Sequence, residues 1–213
     1  MEIGSYTHDK LIGGDFPLVT SAETLLDGQT VARGGILGKV TAGAVPTTGT
    51  ADGGNTGNGT CTTVTGGVNV QAGVYTIECT KAETDAGVFK VEDPSGKQIG
   101  IAEVGVAFTS DELNLTLNDG STDFVAGDKF TVTVPAGSGK LKLIDSTAID
   151  GSGKPYAVSS EASAPSGADA AITAYLTGQF NVVGLSVGGS DTVAQHKDAM
   201  RALSMFQRAS VPE

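Results

Sequence analysis

Tryptophan is absent from this 213-residue chain, cysteine and histidine occur twice each, and aromatic residues make up only 5% of it. Two cysteines do not make a disulfide framework. Charge is sparse as well, at 17%, and lopsided, with 13 basic residues against 24 acidic ones for a net charge of −11. So acidic a surface argues against binding nucleic acid or an anionic membrane by charge, and no segment reads as a basic tail. No apolar run approaches membrane-spanning length. The first residues, Met1–Lys10, lack a basic stretch followed by an apolar one, so no secretory signal is read there, and the expected setting is the cytosol or a larger particle assembled in it. What is abundant is glycine, at 31 residues, together with threonine and valine. That composition belongs to an extended, turn-rich β protein and not to a helical enzyme.

Length and punctuation predict two domains. Residues 47–139 form a β-rich block, flanked by a Gly/Thr/Asn hinge at Thr47–Gly59 and by Pro135-Ala-Gly-Ser-Gly139, so the block reads as a domain inserted into a host made of residues 16–46 and 140–213. It holds 12 acidic and 4 basic residues, a balance of −8, against 12 and 9, or −3, for the rest. Residues 1–15 read as a flexible arm with scattered apolar anchors at Ile3, Tyr6, Leu11 and Ile12. In the host, strands are expected around Pro17–Ser21, Arg33–Thr41, Leu141–Asp145, Pro155–Ser160, Ala170–Thr177 and Gly178–Val183, the last two as a pair. Ser190 as N-cap and Val193, Met200, Leu203 and Phe206 at helical spacing predict one closing helix. In the block, strands are expected at Cys61–Thr65, Val74–Cys79, Val88–Glu92, Lys97–Val104, Leu113–Leu117 and Lys129–Val134. Turn chemistry at Asp93–Gly96 and a tight hairpin at Asn118–Gly120 separate them, which predicts a small antiparallel sandwich.

Residues that could carry chemistry are few. His8 and His196 have no nucleophile motif beside them, and His196 reads as a helix-surface or interface residue. Gly34-Gly-Ile-Leu-Gly38 lacks the following helix and Lys-Ser/Thr pair of a phosphate loop, so its glycines read as close strand packing. Asn118–Asp123 with Asp128 offers oxygens for a hard cation but lacks the bidentate Glu of an EF-hand, and a plain turn is the preferred reading. Cys61 and Cys79 are equidistant from Val70. Symmetric pairing about that point would set them opposite each other on an apolar face, as two reduced, packed thiols or, after release from a reducing cytosol, as a disulfide. No catalytic residue, cofactor or metal is assigned.

The host segments nevertheless resemble one family. Gly14-Asp-Phe-Pro-Leu-Val-Thr20, Gly28–Val40, Pro155-Tyr-Ala-Val158, Ala174-Tyr-Leu-Thr-Gly-Gln-Phe-Asn181 and the Val193–Phe206 helix are similar to the head decoration proteins of lambda-type bacteriophages. The resemblance implies a structural protein and not an enzyme: a homotrimer on the outer capsid surface that stabilises the expanded, DNA-filled head. Its partner would be the major capsid protein, contacted through the arm by strand addition, with Ile3, Tyr6, Leu11, Ile12 and Phe16 as the contact residues. The expected fold class is mainly β, a small β-rich domain with one C-terminal helix, split by an antiparallel sandwich. The block itself looks similar to immunoglobulin-like or adhesin-like modules, and the alternative is that it recognises a host-cell glycan or surface protein.

Overall fold

The computed structural model describes residues 10–209; Ile3, Tyr6 and His8 lie outside them. The fold is mainly β. Its strands among the described residues are β1 (Val19–Leu25), β2 (Ile36–Lys39), β3 (Thr50–Ala51), β4 (Thr60–Gly66), β5 (Gly73–Glu83), β6 (Ala86–Glu92), β7 (Gln98–Glu103), β8 (Ala107–Phe108), β9 (Leu113–Asn118), β10 (Lys129–Val134), β11 (Leu141–Leu143), β12 (Pro155–Ser159), β13 (Ala170–Asn181) and β14 (Met205–Arg208). A single α-helix, α1 (Lys197–Ala202), follows a 3₁₀ turn at Val193–His196. The chain divides into two compact units. One holds the described residues up to Lys39 with Lys140–Thr147 and those from Ser152 onward; the other holds Val40–Gly139 with Ala148–Gly151.

In the first unit the strands run β1-β11-β2-β12-β13, and β1 also pairs with β13, so the circuit closes and leaves no open edge in the ring. Each of the five strands sends a side chain into one cluster: Leu25, Leu37, Leu141, Ala157, and Ile172 with Ala174. The neighbouring residues Ile36 and Val158 point the other way, into a second cluster with Leu11, Ile144, Phe180, Met200 and Met205. Alternation along a strand explains the division, because successive side chains leave opposite faces. The glycines of the 34–38 run permit this closeness: a Cβ at Gly38 would collide with the Ser152 carbonyl, and one at Gly34 with the Gly184 carbonyl.

Three expectations for this unit need correction. Leu11 and Ile12 are not free anchors: Leu11 is buried in the second cluster, and Ile12 bridges Phe180 as the chain adds to the edge of β13. The closing helix is short. It ends at Ala202, Ser204 turns with φ +60°, and Phe206 lies in β14, which pairs parallel with β13 from Gly178↔Met205 to Asn181↔Arg208. Pairing with an open stretch of β13 outweighed both the helical spacing of apolar residues and a run of good helix formers. The 3₁₀ turn leading into α1 is capped at Thr192, whose N–H donates to the Gln195 side chain, and not at Ser190.

The second unit is a sandwich of a five-stranded sheet, β3-β10-β5-β6-β7, and a three-stranded sheet, β4-β9-β8. Alternate residues of both sheets fill one core: Tyr75, Ile77 and Cys79 of β5, Phe89 and Val91 of β6, Phe130, Val132 and Val134 of β10, and Cys61, Leu113, Leu115 and Leu117 from the smaller sheet. Phe89, Phe124 and Phe130 pack edge-on or tilted with centroids 5.0–6.2 Å apart. Residues 40–46, read from the sequence with the host segments, cluster here: Ala42 bridges Ala136, and Val45 packs against this core.

Two sequence readings fail in this unit. β4 does not pair with β5 about Val70; it pairs with β9, and Gly66–Gly73 carries the chain from one sheet to the other. Asn118–Gly120 likewise opens a crossing between sheets, from β9 to β10, and not a tight hairpin. The Asp93–Gly96 turn does join β6 to β7, with the Gly96 N–H donating to the Asp93 carbonyl (2.9 Å) and φ +84° at Gly96.

Candidate functional site

Around the middle of β13 the first unit presents an apolar surface to solvent. Phe16, Leu18, Val19 and Leu203 are 38%, 42%, 49% and 44% exposed. They converge on Thr177 and Gly178 from both sides. Thr177 Oγ1 donates to the Pro17 carbonyl (2.9 Å) and accepts from the Val19 N–H (3.1 Å). The Gly178 N–H donates to the Ser204 carbonyl (3.1 Å), and the space a Cβ at Gly178 would need is filled by Leu18 and Phe180. The Phe16 ring meets Phe206 edge-on at 4.8 Å. Of the residues singled out from the sequence for contact, Phe16 belongs to this surface, Leu11 and Ile12 do not, and Ile3 and Tyr6 lie outside the described residues. Leu18, Val19 and Leu203 were missed. Adjacent apolar residues such as Leu18-Val19 carry no periodic signal of exposure, because one of the two is normally expected to face a core.

His196 is not a surface residue. It is 5% exposed, and its Nε2 lies 2.8 Å from Asp191 Oδ2. Asp191 also accepts from the Ser146 N–H (2.7 Å) and hydroxyl (2.5 Å). The three residue types are those of a hydrolase triad, but the order is wrong: the carboxylate stands between hydroxyl and imidazole, whereas a nucleophile needs the imidazole beside it to take its proton. The arrangement is a clasp that fastens Ser146 to the turn before α1. Burial pushes the Asp191 carboxyl up, but the bonds from Ser146 and His196 outweigh it and hold the group below the usual carboxylate range.

Asp128, named from the sequence as an oxygen for a cation, has its own work. It accepts N–H groups from Thr56, Gly57 and Val125 at 2.9–3.0 Å. Cys61 and Cys79 are buried and unbridged, on strands of different sheets. Burial lifts the Cys61 thiol to about 11 and raises that of Cys79, so neither is a ready nucleophile in the folded protein.

No family model matches the chain, and no curated protein matches it. Two crystal structures of Xanthomonas campestris FlgL show a distant likeness: each is 17% identical over 51% of this chain, with a TM-score of 0.34. The chain spans about a third of the length of those proteins, 34% and 33%.

Proposed function

We propose that the chain is a structural protein of a phage head, bound as a homotrimer to the outer capsid surface, where it stabilises the expanded shell. The observation that carries this reading is the apolar surface around Gly178. Three of the segments that resemble the decoration proteins, Gly14–Thr20, Ala174–Asn181 and Val193–Phe206, meet there and leave Phe16, Leu18, Val19 and Leu203 uncovered. Large apolar side chains left in water cost free energy and favour a protein partner. Affinity would be spread over three copies, so that avidity replaces a single strong site. The acidic block fits a face turned to solvent, since repulsion between copies favours projection away from the shell.

Sedimentation equilibrium and co-sedimentation with expanded heads test the proposal together. The protein at micromolar concentration should sediment as three chains and pellet with heads. Leu18→Asp combined with Leu203→Asp changes exposed side chains only, so it should preserve the fold while abolishing one or both associations. A monomer that does not pellet with heads, or a double variant that still trimerises and still decorates them fully, would refute the assignment.

A further inference from the structure

The β5–β6 hairpin and the connection from β9 to β10 meet at Asp85, whose backbone N–H donates to Asp123 Oδ1 (3.0 Å) across 38 residues of sequence. At that junction one carboxylate oxygen each from Asp85, Asp119 and Asp123 lies within 4.8 Å of the other two. Asp85 and Asp123 are exposed and Asp119 is half-buried. Oδ1 of Asp119 is sealed from solvent, with less than 1 Å² accessible, and has no hydrogen-bond partner. A carboxylate oxygen stripped of water and given no donor is an unfavourable arrangement unless something positive completes it. The ion pairs of the described residues, Lys81 with Glu83 on the same hairpin among them, involve none of the three. The block already carries a charge of −8, so three carboxylates gathered without a cation repel one another.

We propose that Asp85, Asp119 and Asp123 bind a calcium ion that clamps the β5–β6 hairpin to the β9–β10 connection. The donor set is all oxygen with no His or Cys, which suits a hard cation and not zinc or copper. Calcium binds oxygens at about 2.3–2.6 Å, so two ligands of one ion stand at most roughly 5 Å apart, and three oxygens all within 4.8 Å of one another meet that limit. Magnesium, at about 2.1 Å and strictly octahedral, dehydrates reluctantly and is usually held by one or two carboxylates with several waters, so three carboxylates from separate loops suit it less. The two exposed carboxylates give the ion its entry, water or backbone carbonyls fill the remaining positions, and the Asp119 carboxylate, whose Oδ1 has no donor, gains a positive charge beside it. This site differs from the one suggested by Asn118–Asp123 with Asp128, because Asp128 is committed to three backbone N–H groups. It is also independent of the capsid reading.

Isothermal titration of the full chain with CaCl₂, alongside thermal unfolding in CaCl₂ or EGTA, decides it. Three carboxylates with an open coordination sphere predict a dissociation constant of roughly 10⁻⁴ to 10⁻³ M and a higher melting temperature in calcium, with a much smaller effect of MgCl₂ at equal concentration. Asp119→Asn and Asp85→Asn should each weaken calcium binding at least about tenfold. Both should melt in EGTA no lower than the parent, because a repelling charge has gone; asparagine also tolerates the φ of +51° at residue 85. Glu103→Gln removes an exposed charge elsewhere on the block and should change neither property. Circular dichroism checks folding, and Asp85→Asn carries the test if Asp119→Asn fails to fold. Equal melting temperatures in calcium and EGTA with no heat of binding, equal effects of calcium and magnesium, or undiminished affinity in the folded variants would each overturn the proposal.

Discussion

Asp128 is the residue on which the second unit's loops depend most visibly. It is 3% exposed and takes three backbone N–H groups, two from Thr56-Gly57 and one from Val125. Desolvation opposes its charge, but the three donors win, and its carboxyl is held below the usual range. Asp128→Ala leaves those donors without a partner and should destabilise the unit by about 3 kcal/mol at neutral pH, read from the midpoint of urea unfolding. The sign of the pH dependence follows from the depressed value. The folded pKa lies below the unfolded one, so the contribution of Asp128 is complete above the unfolded value of about 3.9 and is lost as pH falls through the folded value. The penalty for Asp128→Ala should therefore shrink below about pH 4; a penalty that stays constant into acid would remove the charge from the explanation.

Leu11 marks the difference between an arm and an element. Its burial and the Ile12–Phe180 bridge make residues 11–13 an added stretch of sheet, with the Gly13 N–H donating to the Gln179 carbonyl and the Asn181 N–H to the Leu11 carbonyl, both at 2.8 Å. Leu11→Ala should cost about 2–5 kcal/mol, measured by urea unfolding, whereas deleting Met1–Asp9 should leave the unfolding midpoint unchanged. An equally small effect of both would return Leu11 to the arm. The sequence showed the apolar residues here but not their use, because a few separated hydrophobes after a polar start fit a tail and an added strand alike. Where alternation was regular, as in Tyr75/Ile77/Cys79 and Phe130/Val132/Val134, strand and buried face were both legible, since a period of two leaves one choice of face. Partners were not legible. Gly66–Gly73 is long enough to turn a hairpin or to cross a sandwich, and only tertiary packing decides that β4 takes β9. The Ser146–Asp191–His196 clasp was invisible for the same reason: its members are 45 and 5 residues apart in sequence and carry no shared motif.

At the scale of the molecule, the ends of the inserted segment lie side by side: Lys39 of β2 stands opposite Leu141 of β11 in an antiparallel pair. Asn-Gly in place of Val40–Gly139 makes, with Lys140, a three-residue hairpin loop between two strands already in register, and the first unit should fold without the sandwich. Circular dichroism and a cooperative urea transition would show this; a chain that no longer folds would mean the second unit is needed to form the first. The proposed decoration role makes a further demand, that the excised protein still trimerise and bind heads, because the uncovered residues around Gly178 all belong to the first unit. The most direct test of that proposal is a cryo-EM reconstruction of expanded phage heads mixed with this chain. The account predicts trimeric density on the outer surface at the local three-fold positions, with Phe16, Leu18, Val19 and Leu203 against a neighbouring copy or the shell and the acidic sandwich outermost. A fully occupied, stable head with no density for this chain would contradict it.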